Sequence, residues 1–468
     1  MRRSSIVAPL ILIAIGALFL ARNLYPELPV LDYIARYWPF VLIAWGALRL
    51  GEVMYWSISD RPLPRFGISP GEWALAIFLC VFGSSLHAVH GWNSWWPRNG
   101  VIIGGLDMFG ENHEFPLNGE KSTGATPRVI IENFRGNARV SGADANEVKV
   151  TGHRTIRSLD QNGADNANQQ APFEITGDDN EVHIRNNQEQ VSGGRVRFDA
   201  DMEISVPKGA SVEAHGIYGD FDINGINGSV DIISDNAGVR LQDIGGDTRI
   251  DLRRSDVVRA SGVKGAFELK GRGSDVDLQD MQGQVTVSGA YSGVLEFRSL
   301  AMPLRYQGET TTLNVEKLPG DLRMTRGDVE GSNLVGPVTV TTRSRDVTLS
   351  DFTNSLDVSV TRGDITLHPV QLPVARIEAQ ARSGNIDLAL PPNAKFDLSA
   401  TTSHGEASNE FGPPLRVDNE GRSSSIAYSS GGATVTLHTD HGDVTVRKAS
   451  ADENATTKGS KPLKKIEQ

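Results

Sequence analysis

The chain has 468 residues and one cysteine, Cys80, so no internal disulfide framework can hold it together. Cys80 lies in an apolar run, where a free thiol behaves as a small buried hydrophobe. Tryptophan is missing from everything after residue 96; the seven present are Trp38, Trp45, Trp56, Trp73, Trp92, Trp95 and Trp96. No basic patch interleaved with aromatics occurs, which argues against nucleic acid as a partner. No nucleotide-binding loop, nucleophile elbow or zinc-ligand spacing is present. The sequence therefore implies no cofactor, no metal and no catalytic residue. The net charge of -11 is spread through the C-terminal part rather than gathered in one block.

What is present divides near residue 97. Three apolar runs, Ile6–Ala21, Tyr37–Trp56 and Trp73–Val89, precede it. With their flanks they predict membrane helices over about 5–22, 37–56 and 72–90, since a span needs about 17–25 mostly apolar residues. Tyr37, Trp38, Tyr55 and Trp56 have the look of interfacial anchors. If all three runs span, Arg2, Arg3, Arg49, Arg61 and Arg65 fall on one side and Arg22, Arg36 and Arg98 on the other. That bias puts the N-terminus in the cytoplasm and everything after Trp96 outside. A cleaved signal peptide competes for the first run, but Phe19-Leu20-Ala21-Arg22 is too bulky for the usual cleavage site. A re-entrant hairpin by the first two runs is the other alternative.

The run Ile15-Gly16-Ala17-Leu18-Phe19-Leu20, then Asn23-Leu24, then Trp38-Pro39-Phe40 and Trp45-Gly46 resembles the LiaI/LiaF-like transmembrane region of bacterial envelope-stress proteins. The resemblance covers about residues 6–56, and its link is longer than usual, with Pro26 and Pro29. It implies a place in the bacterial cell membrane. Shared membrane helices do not by themselves carry over a signalling role.

Residues 97–127 read as a linker, and 128–448 as an all-β repeat domain. Val129-Ile130-Ile131, Ala138-Arg139-Val140 and Val148-Lys149-Val150 read as strands. Leu159–Ala171, rich in Asn, Gln and Asp, reads as a polar loop. From about 211 two interleaved series appear. One runs through Gly219-Asp220-Phe221-Asp222-Ile223, Gly238-Val239-Arg240-Leu241 and Ser274-Asp275-Val276-Asp277-Leu278. The other runs through Gly228-Ser229-Val230-Asp231-Ile232, Gly246-Asp247-Thr248-Arg249-Ile250 and Gly283-Gln284-Val285-Thr286-Val287. Each recurs at roughly 18–19 residues, a period that signals a solenoid. The pattern resumes at Gly327-Asp328-Val329 and ends at His441-Gly442-Asp443-Val444-Thr445-Val446.

One unit cannot bury its Val/Ile/Leu face alone; stacked coils bury a shared core. The N-terminal strands from 129 to 206 are expected to cap one end of the stack, since bare strand edges need covering. Phe411–Tyr428, with Pro413 and Pro414, interrupts the pattern, and the tail 449–468 reads as disordered. The expected fold is thus membrane helices plus all-β: an N-terminal three-helix transmembrane region followed by a β-solenoid (β-helix-like) repeat domain. The opening Ile130-Ile131-Glu132-Asn133-Phe134-Arg135-Gly136, the middle Val206-Pro207-Lys208-Gly209-Ala210, the late Leu390-Pro391-Pro392 and the Gly-Asp-[Val/Ile] units resemble the bacterial putative-adhesin domain, a β-strand repeat family of unknown function.

Candidate chemistry is sparse. Asp220, Asp247, Asp328, Asp364 and Asp443 recur beside glycines as turn residues; the calcium β-roll nonapeptide is absent. Asp222, Asp231, Asp251, Asp277 and Glu268 on strand faces would need a defined pair to hydrolyse a polysaccharide. His404, His438 and His441 lack a convergent ligand set. Few aromatics face water; Tyr218, Tyr291, Tyr306 and Tyr428 are the tyrosines expected there. Arg249, Arg253, Arg254, Arg343, Arg345 and Arg362, read as exposed, are the candidates for contact with anionic envelope polymers, Arg343, Arg345 and Arg362 foremost, because guanidinium pairs well with carboxylate and phosphate. The expected role is a membrane-anchored, non-catalytic cell-envelope protein that presents an extracytoplasmic β-repeat surface for binding, adhesion or envelope-stress sensing. Its partners would be the lipid bilayer, through the N-terminal helices, and envelope polymers or another membrane protein. The alternatives are a carbohydrate-active β-helix enzyme, or a regulator of a membrane signalling partner.

Overall fold

Alternation of apolar and polar residues becomes alternation of burial along most strands. In Val230–Ser234, Val230, Ile232 and Ser234 are buried, while Asp231 and Ile233 are not. The computed structural model describes residues 111–158, 160–188, 191 and 197–450, all within the unit Gly105–Gln468. The three predicted membrane helices and the tail beyond 450 lie outside the described residues. Among the described residues no helix is long and apolar enough to cross a membrane.

In chain order the N-terminal part holds β1 (Glu111–Ser122), β2 (Arg128–Arg135), β3 (Ala138–Ala143), β4 (Glu147–Ser158), helix α1 (Gln161–Gln170), β5 (Glu174–Gly177), β6 (Glu181–Arg185) and β7 (Arg197–Pro207). The regular coils follow as β8 (Ser211–Tyr218), β9 (Phe221–Ile226), β10 (Val230–Ser234), β11 (Val239–Ile244), β12 (Thr248–Ser261), β13 (Phe267–Met281), β14 (Val285–Tyr291), β15 (Leu295–Leu300) and β16 (Leu304–Gln307). A central pair, β17 (Thr311–Met324) and β18 (Asp328–Thr342), leads to β19 (Asp346–Phe352), β20 (Ser355–Arg362), β21 (Ile365–His368), β22 (Arg376–Ser383) and β23 (Ile386–Leu390). The C-terminal part is β24 (Phe396–His404), β25 (Ala407–Glu410), β26 (Arg416–Glu420), β27 (Ser423–Ser429), β28 (Ala433–His441) and β29 (Val444–Lys448).

Each coil contributes one strand to each of two faces. Face A runs β8, β10, the first half of β12, the first half of β13, β14 and β16, all parallel. Face B runs β9, β11, then the second halves of β12 and β13, then β15. The inward residues stack in columns. On face B, Phe221, Val239, Val258, Val276 and Leu295 are partners in consecutive strands, and all are buried. Long β12 and β13 each cross from one face to the other as a single strand, with a register shift in their pairing between Leu252 and Ser255.

The corner where the chain returns from face B to face A has a recurring device. Gly225, Asp243, Gly262, Asp280, Ser299, Asn333 and Asp351 all have φ between 50° and 72°. Each is followed by a buried apolar residue: Ile226, Ile244, Val263, Met281, Leu300, Leu334 and Phe352. A left-handed residue there bends the strand so that the next side chain points back into the core; Gly, Asp and Asn tolerate this conformation best.

Midway the stack reverses. β17 lies antiparallel to β16 and β15, and β18 antiparallel to β17. The 18–19-residue pattern lapses in this stretch because the chain makes two tight hairpins, at Gly308–Thr310 and Thr325–Gly327. Parallel stacking then resumes on both faces from β18 onward.

At both ends chain order and spatial order differ. The coil β2–β3 sits between β6–β7 and β8–β9. The last coil, β28–β29, sits between β22–β23 and β24–β25. Antiparallel strands cover the outermost coils: β4 on β7, β1 on β4 and β5 on β6 at one end, and β27 on β24 and β26 on β27 at the other. Such covers hide backbone groups that would otherwise template association. The expected N-terminal cap is therefore made by β1, β4 and β5, while β2 and β3 belong to the stack. The interruption at 411–428 is the C-terminal cover.

Two expectations need correction. The stretch 97–127, read as linker, contains β1, which is bound along its length to β4; its polar residues and Pro116 suit an edge strand. The polar loop at 159–171 is mostly helix α1. Asp160 caps it by accepting from the Gly163 N–H at 2.6 Å, and Ala164 and Ala167 face inward. They pack with Ile156, Ala171 and Phe198 in a satellite core. Arg154, fully buried beside it, donates to the carbonyl of Ala171 at the helix end and to the carbonyl of Asn186 at 3.2 Å. Burial pulls its pKa down to about 10.

Candidate functional site

The other corner, where the chain passes from face A to face B, gathers the most distinctive chemistry. Here the recurrent acidic residues do a specific job. Asp220 Oδ1 accepts from the Gly238 N–H at 2.9 Å, and Asp275 Oδ1 from the Val294 N–H at 2.9 Å. In the second half Asp346 accepts from Asp364 N–H, Asp364 from Asn385 N–H, Asn385 from Asp443 N–H and Asp443 from Glu406 N–H, at 2.7–2.9 Å. These residues serve the turn of the next coil in space rather than their own. The ladder follows the spatial order of the coils, including the inserted β28–β29.

The strand faces use charge differently. On face B the outward residues Glu203, Arg139, Asp222, Arg240, Arg259, Asp277, Glu296, Arg323 and Glu330 are register partners in succession. Arg139 lies 3.5 Å from Glu203 and 3.6 Å from Asp222; Arg323 lies 3.5 Å from Glu296. On face A, Asp231, Arg249 and Glu268 alternate in the same way. Most strand-face carboxylates are thus interleaved with arginines, although on face B Asp277 meets Glu296 and Arg240 meets Arg259.

On face A two acidic pairs also depart from this, Asp357 with Glu378 and one nearer the N-terminal end. Glu213 and Asp231 are register partners on face A. Hydrogen bonds from His215 and Arg128 lower the Glu213 pKa, while burial raises that of Asp231. At the N-terminal end Glu132 is held down to about 2, first by its hydrogen bonds to Arg185 and, against the cost of burial, by His183.

The three foremost candidate arginines separate. Arg343 and Arg362 are exposed on adjacent coils, with the Arg362 N–H donating to the Arg343 carbonyl at 2.9 Å. Arg345 is not available: it is 8% exposed and turned inward, and its Nη1 is buried without a hydrogen-bond partner among the described residues. Tyr291 and Tyr306 are likewise buried, at 7% and 3% exposure, leaving Tyr218 as the exposed tyrosine of the four. Arg254, also named from the sequence, lies at the same corner, and the sequence reading missed Arg272, Arg326 and Arg382 as its further members. Arg253, Arg254, Asp256 and Arg272 line a shallow depression of about 460 Å³ with Ser274 and Ser292, over Gly273 and Ala290. The Arg326 Nε donates to the Ser292 carbonyl at 2.9 Å.

Farther along this corner the His404 and His441 rings stack at 4.7 Å. His438 contacts Asp440 and Thr401. Among the described residues no group of three His, Cys, Asp or Glu side chains could hold a metal ion.

The family profile described as Toastrack DUF4097 matches residues 128–447, and that of the LiaI-LiaF-like transmembrane region matches residues 6–50. Comparison with curated proteins gives no match. Among solved structures, the chain is similar to a crystal structure described as a putative cell adhesion protein from Clostridium sporogenes ATCC 15579. It has 9% identity, covers 72% of this chain and 100% of that one, and has a TM-score of 0.19.

Proposed function

The chain belongs to the Toastrack DUF4097 family and carries a LiaI-LiaF-like transmembrane region, and from that premise we propose that it is a membrane-anchored, non-catalytic protein of the bacterial cell envelope. In this reading three N-terminal helices span the inner membrane, and the all-β domain lies outside the cytoplasm. The domain presents its two long faces and their corners for binding, adhesion or envelope-stress sensing. Its partners are the bilayer and, beyond it, envelope polymers or another membrane protein. The observation that carries the reading is the charge-balanced, flat surface of both faces. Interleaved Arg and Asp ladders make a soluble display surface, not a cleft that converges on one reacting atom. Arg343 and Arg362 are the contact residues retained from the three foremost candidates.

A reporter fused after Lys448 should be active only when exported, and cytoplasmic activity of that fusion overturns the orientation. A second reading, a carbohydrate-active enzyme, draws on Glu213 and Asp231, whose pKa values move in opposite directions as an acid and its partner require. Turnover of cell-wall polysaccharides by the purified protein, abolished in Glu213→Gln and Asp231→Asn, would replace the non-catalytic reading with this one.

A further inference from the structure

We propose that the corner joining face A to face B, from β12 to β23, is a rail that binds a linear polyanion bearing phosphate or carboxylate groups. The proposal rests on the reading of an envelope-facing display surface and names what that surface takes.

The decisive contrast lies in the arginines. On the strand faces Arg128, Arg139, Arg298, Arg323 and Arg376 have carboxylates within ion-pair distance, while Arg249, Arg259 and Arg305 face outward without one among the described residues. Among the described residues, Arg254, Arg272, Arg326, Arg343, Arg362 and Arg382 have none, and all six are exposed. Acidic residues stand within a few positions of them, but Asp275, Asp346 and Asp364 are engaged by backbone N–H groups of neighbouring coils. Asp235 is taken by Arg253 at 3.1 Å. Asp256, Glu309 and Asp328 are the carboxylates of this stretch that neither ladder nor ion pair uses, Asp328 accepting from the Thr325 hydroxyl of its own turn. A protein of net charge -11 therefore carries, along one corner, a line of exposed guanidiniums without ion-pair partners, set among carboxylates that backbone N–H groups hold in place.

Geometry favours an extended ligand. The turns bearing these arginines follow one another along the stack, at about 4.8 Å per strand step. The floor between Arg254 and Arg272 is low because Gly273 and Ala290 supply almost no side chain, and Ser274 and Ser292 offer hydroxyls beside it. Guanidinium groups recognise carboxylate and phosphate alike through paired N–H donors. Each contact to an exposed arginine is weak alone, but contacts along one chain combine through effective concentration. The corner lacks the aromatics on which unpaired bases stack, so a nucleic acid is not the occupant it favours.

The test uses the full chain in nanodiscs of neutral lipid, with long-chain polyphosphate and polygalacturonate as probes. Both should be retained at about 50 mM salt and largely released at about 200 mM, as counterion-linked binding requires. Their monomeric units should bind far more weakly. The variant Arg343→Gln/Arg362→Gln/Arg382→Gln should weaken polymer binding about tenfold or more, and Arg139→Gln/Arg323→Gln on face B should change it by less than about twofold. Unchanged circular dichroism of both variants removes misfolding as the cause. Lack of retention at low salt overturns the proposal, as does equal weakening by the two variants. Tighter retention of duplex DNA, or of anionic vesicles in place of either polymer, also overturns it by assigning the corner to another partner. Any of these failures leaves the export and turnover tests of the broader reading untouched.

Discussion

The strand faces and the face A-to-face B corner are built from the same two residue types and pair their charges differently. On face B an arginine in one coil meets a carboxylate in the next, as Arg139 meets Glu203 and Asp222. At the corner the aspartate comes first after the turn, where the next coil offers a backbone N–H in place of a guanidinium. Asp364 is then held by Asn385, and Arg362 two residues earlier keeps no carboxylate partner among the described residues. Position within the coil, more than composition, decides whether the Arg and Asp of a repeat pair with each other. The aspartates that hold the coils together are fixed by backbone N–H groups, and the corner arginines are left without ion-pair partners among the described residues.

The largest effect should come from breaking what both regions stand on, the buried columns. Val276 is 1% exposed and lies between Val258 and Leu295. Val276→Asp places a carboxylate with no partner in that column and should cost about 4 kcal/mol or more. Because repeat proteins unfold in segments, the readout is amide hydrogen exchange in β12, β13 and β15 rather than one melting temperature. Unaltered protection of Leu278 and Leu295 would show that the column is not sealed.

A smaller effect should come from breaking a compensated cluster on face A. Glu132 accepts from Arg185 at 2.8 Å and contacts His183 at 2.6 Å. Its folded pKa is depressed, so its contribution is present above the ordinary carboxylate pKa of about 4.3 and is lost as pH falls toward 2. The His183 pKa is raised, chiefly by Glu132. Its contribution is present below the ordinary histidine value of about 6.5 and is lost as pH rises through the raised one. Glu132→Gln should therefore destabilise by about 1 kcal/mol between roughly pH 4.5 and 6.5, with the difference narrowing on either side. A difference that does not vary with pH would remove the cluster from the stability account.

Much of this contrast was readable before any coordinates. The 18–19-residue period and the inward columns follow from alternation, and the corner aspartates were visible as turn residues. Their true partners were not, because a nine-residue unit does not state which coil will lie beside it. For that reason the insertion of β2–β3 and β28–β29 inside the ends of the stack escaped the pattern. Other misses had a signal. Arg345 has the same parity as buried Val347 and Leu349, whereas Arg343 follows buried Thr342 and so points out. Tyr306 shares the parity of Leu304, and Tyr291 that of Val287. Helix α1 was masked by its Asn and Gln content, although Asp160 and the spacing of Ala164, Ala167 and Ala171 give a cap and an apolar stripe.

The corner ladder should respond less than the core and more than the surface. Asp364→Ala removes the acceptor of the Asn385 N–H and leaves the Asp346 bond to residue 364 intact. The freed N–H can reach water at this exposed turn, so the loss should be about 1 kcal/mol. Exchange of the Asn385 and Ile386 amides should quicken while β12 and β13 stay protected. Asp364→Asn retains an acceptor and should recover most of the loss. If it does not, the carboxylate charge, rather than the hydrogen bond, holds the turn.

The smallest effect bears most directly on the comparison. Arg323 on face B lies 3.5 Å from Glu296 and 3.9 Å from Glu330, but it is about half exposed, and water screens both pairs. Arg323→Gln should cost no more than about 0.5 kcal/mol, and less in high salt. Arg343 has no carboxylate to lose, so Arg343→Gln should leave stability unchanged at any salt concentration. The pair of denaturation curves, at low and high salt, therefore separates the regions by their salt dependence. If Arg343→Gln stabilised the protein at low salt and the gain vanished at high salt, the corner arginines would be repelling one another strongly. Their retention would then cost stability, which would strengthen the case for a ligand. If it destabilised the protein in a salt-sensitive way, Arg343 would have a carboxylate partner in solution, and the distinction between face and corner would fail at that residue.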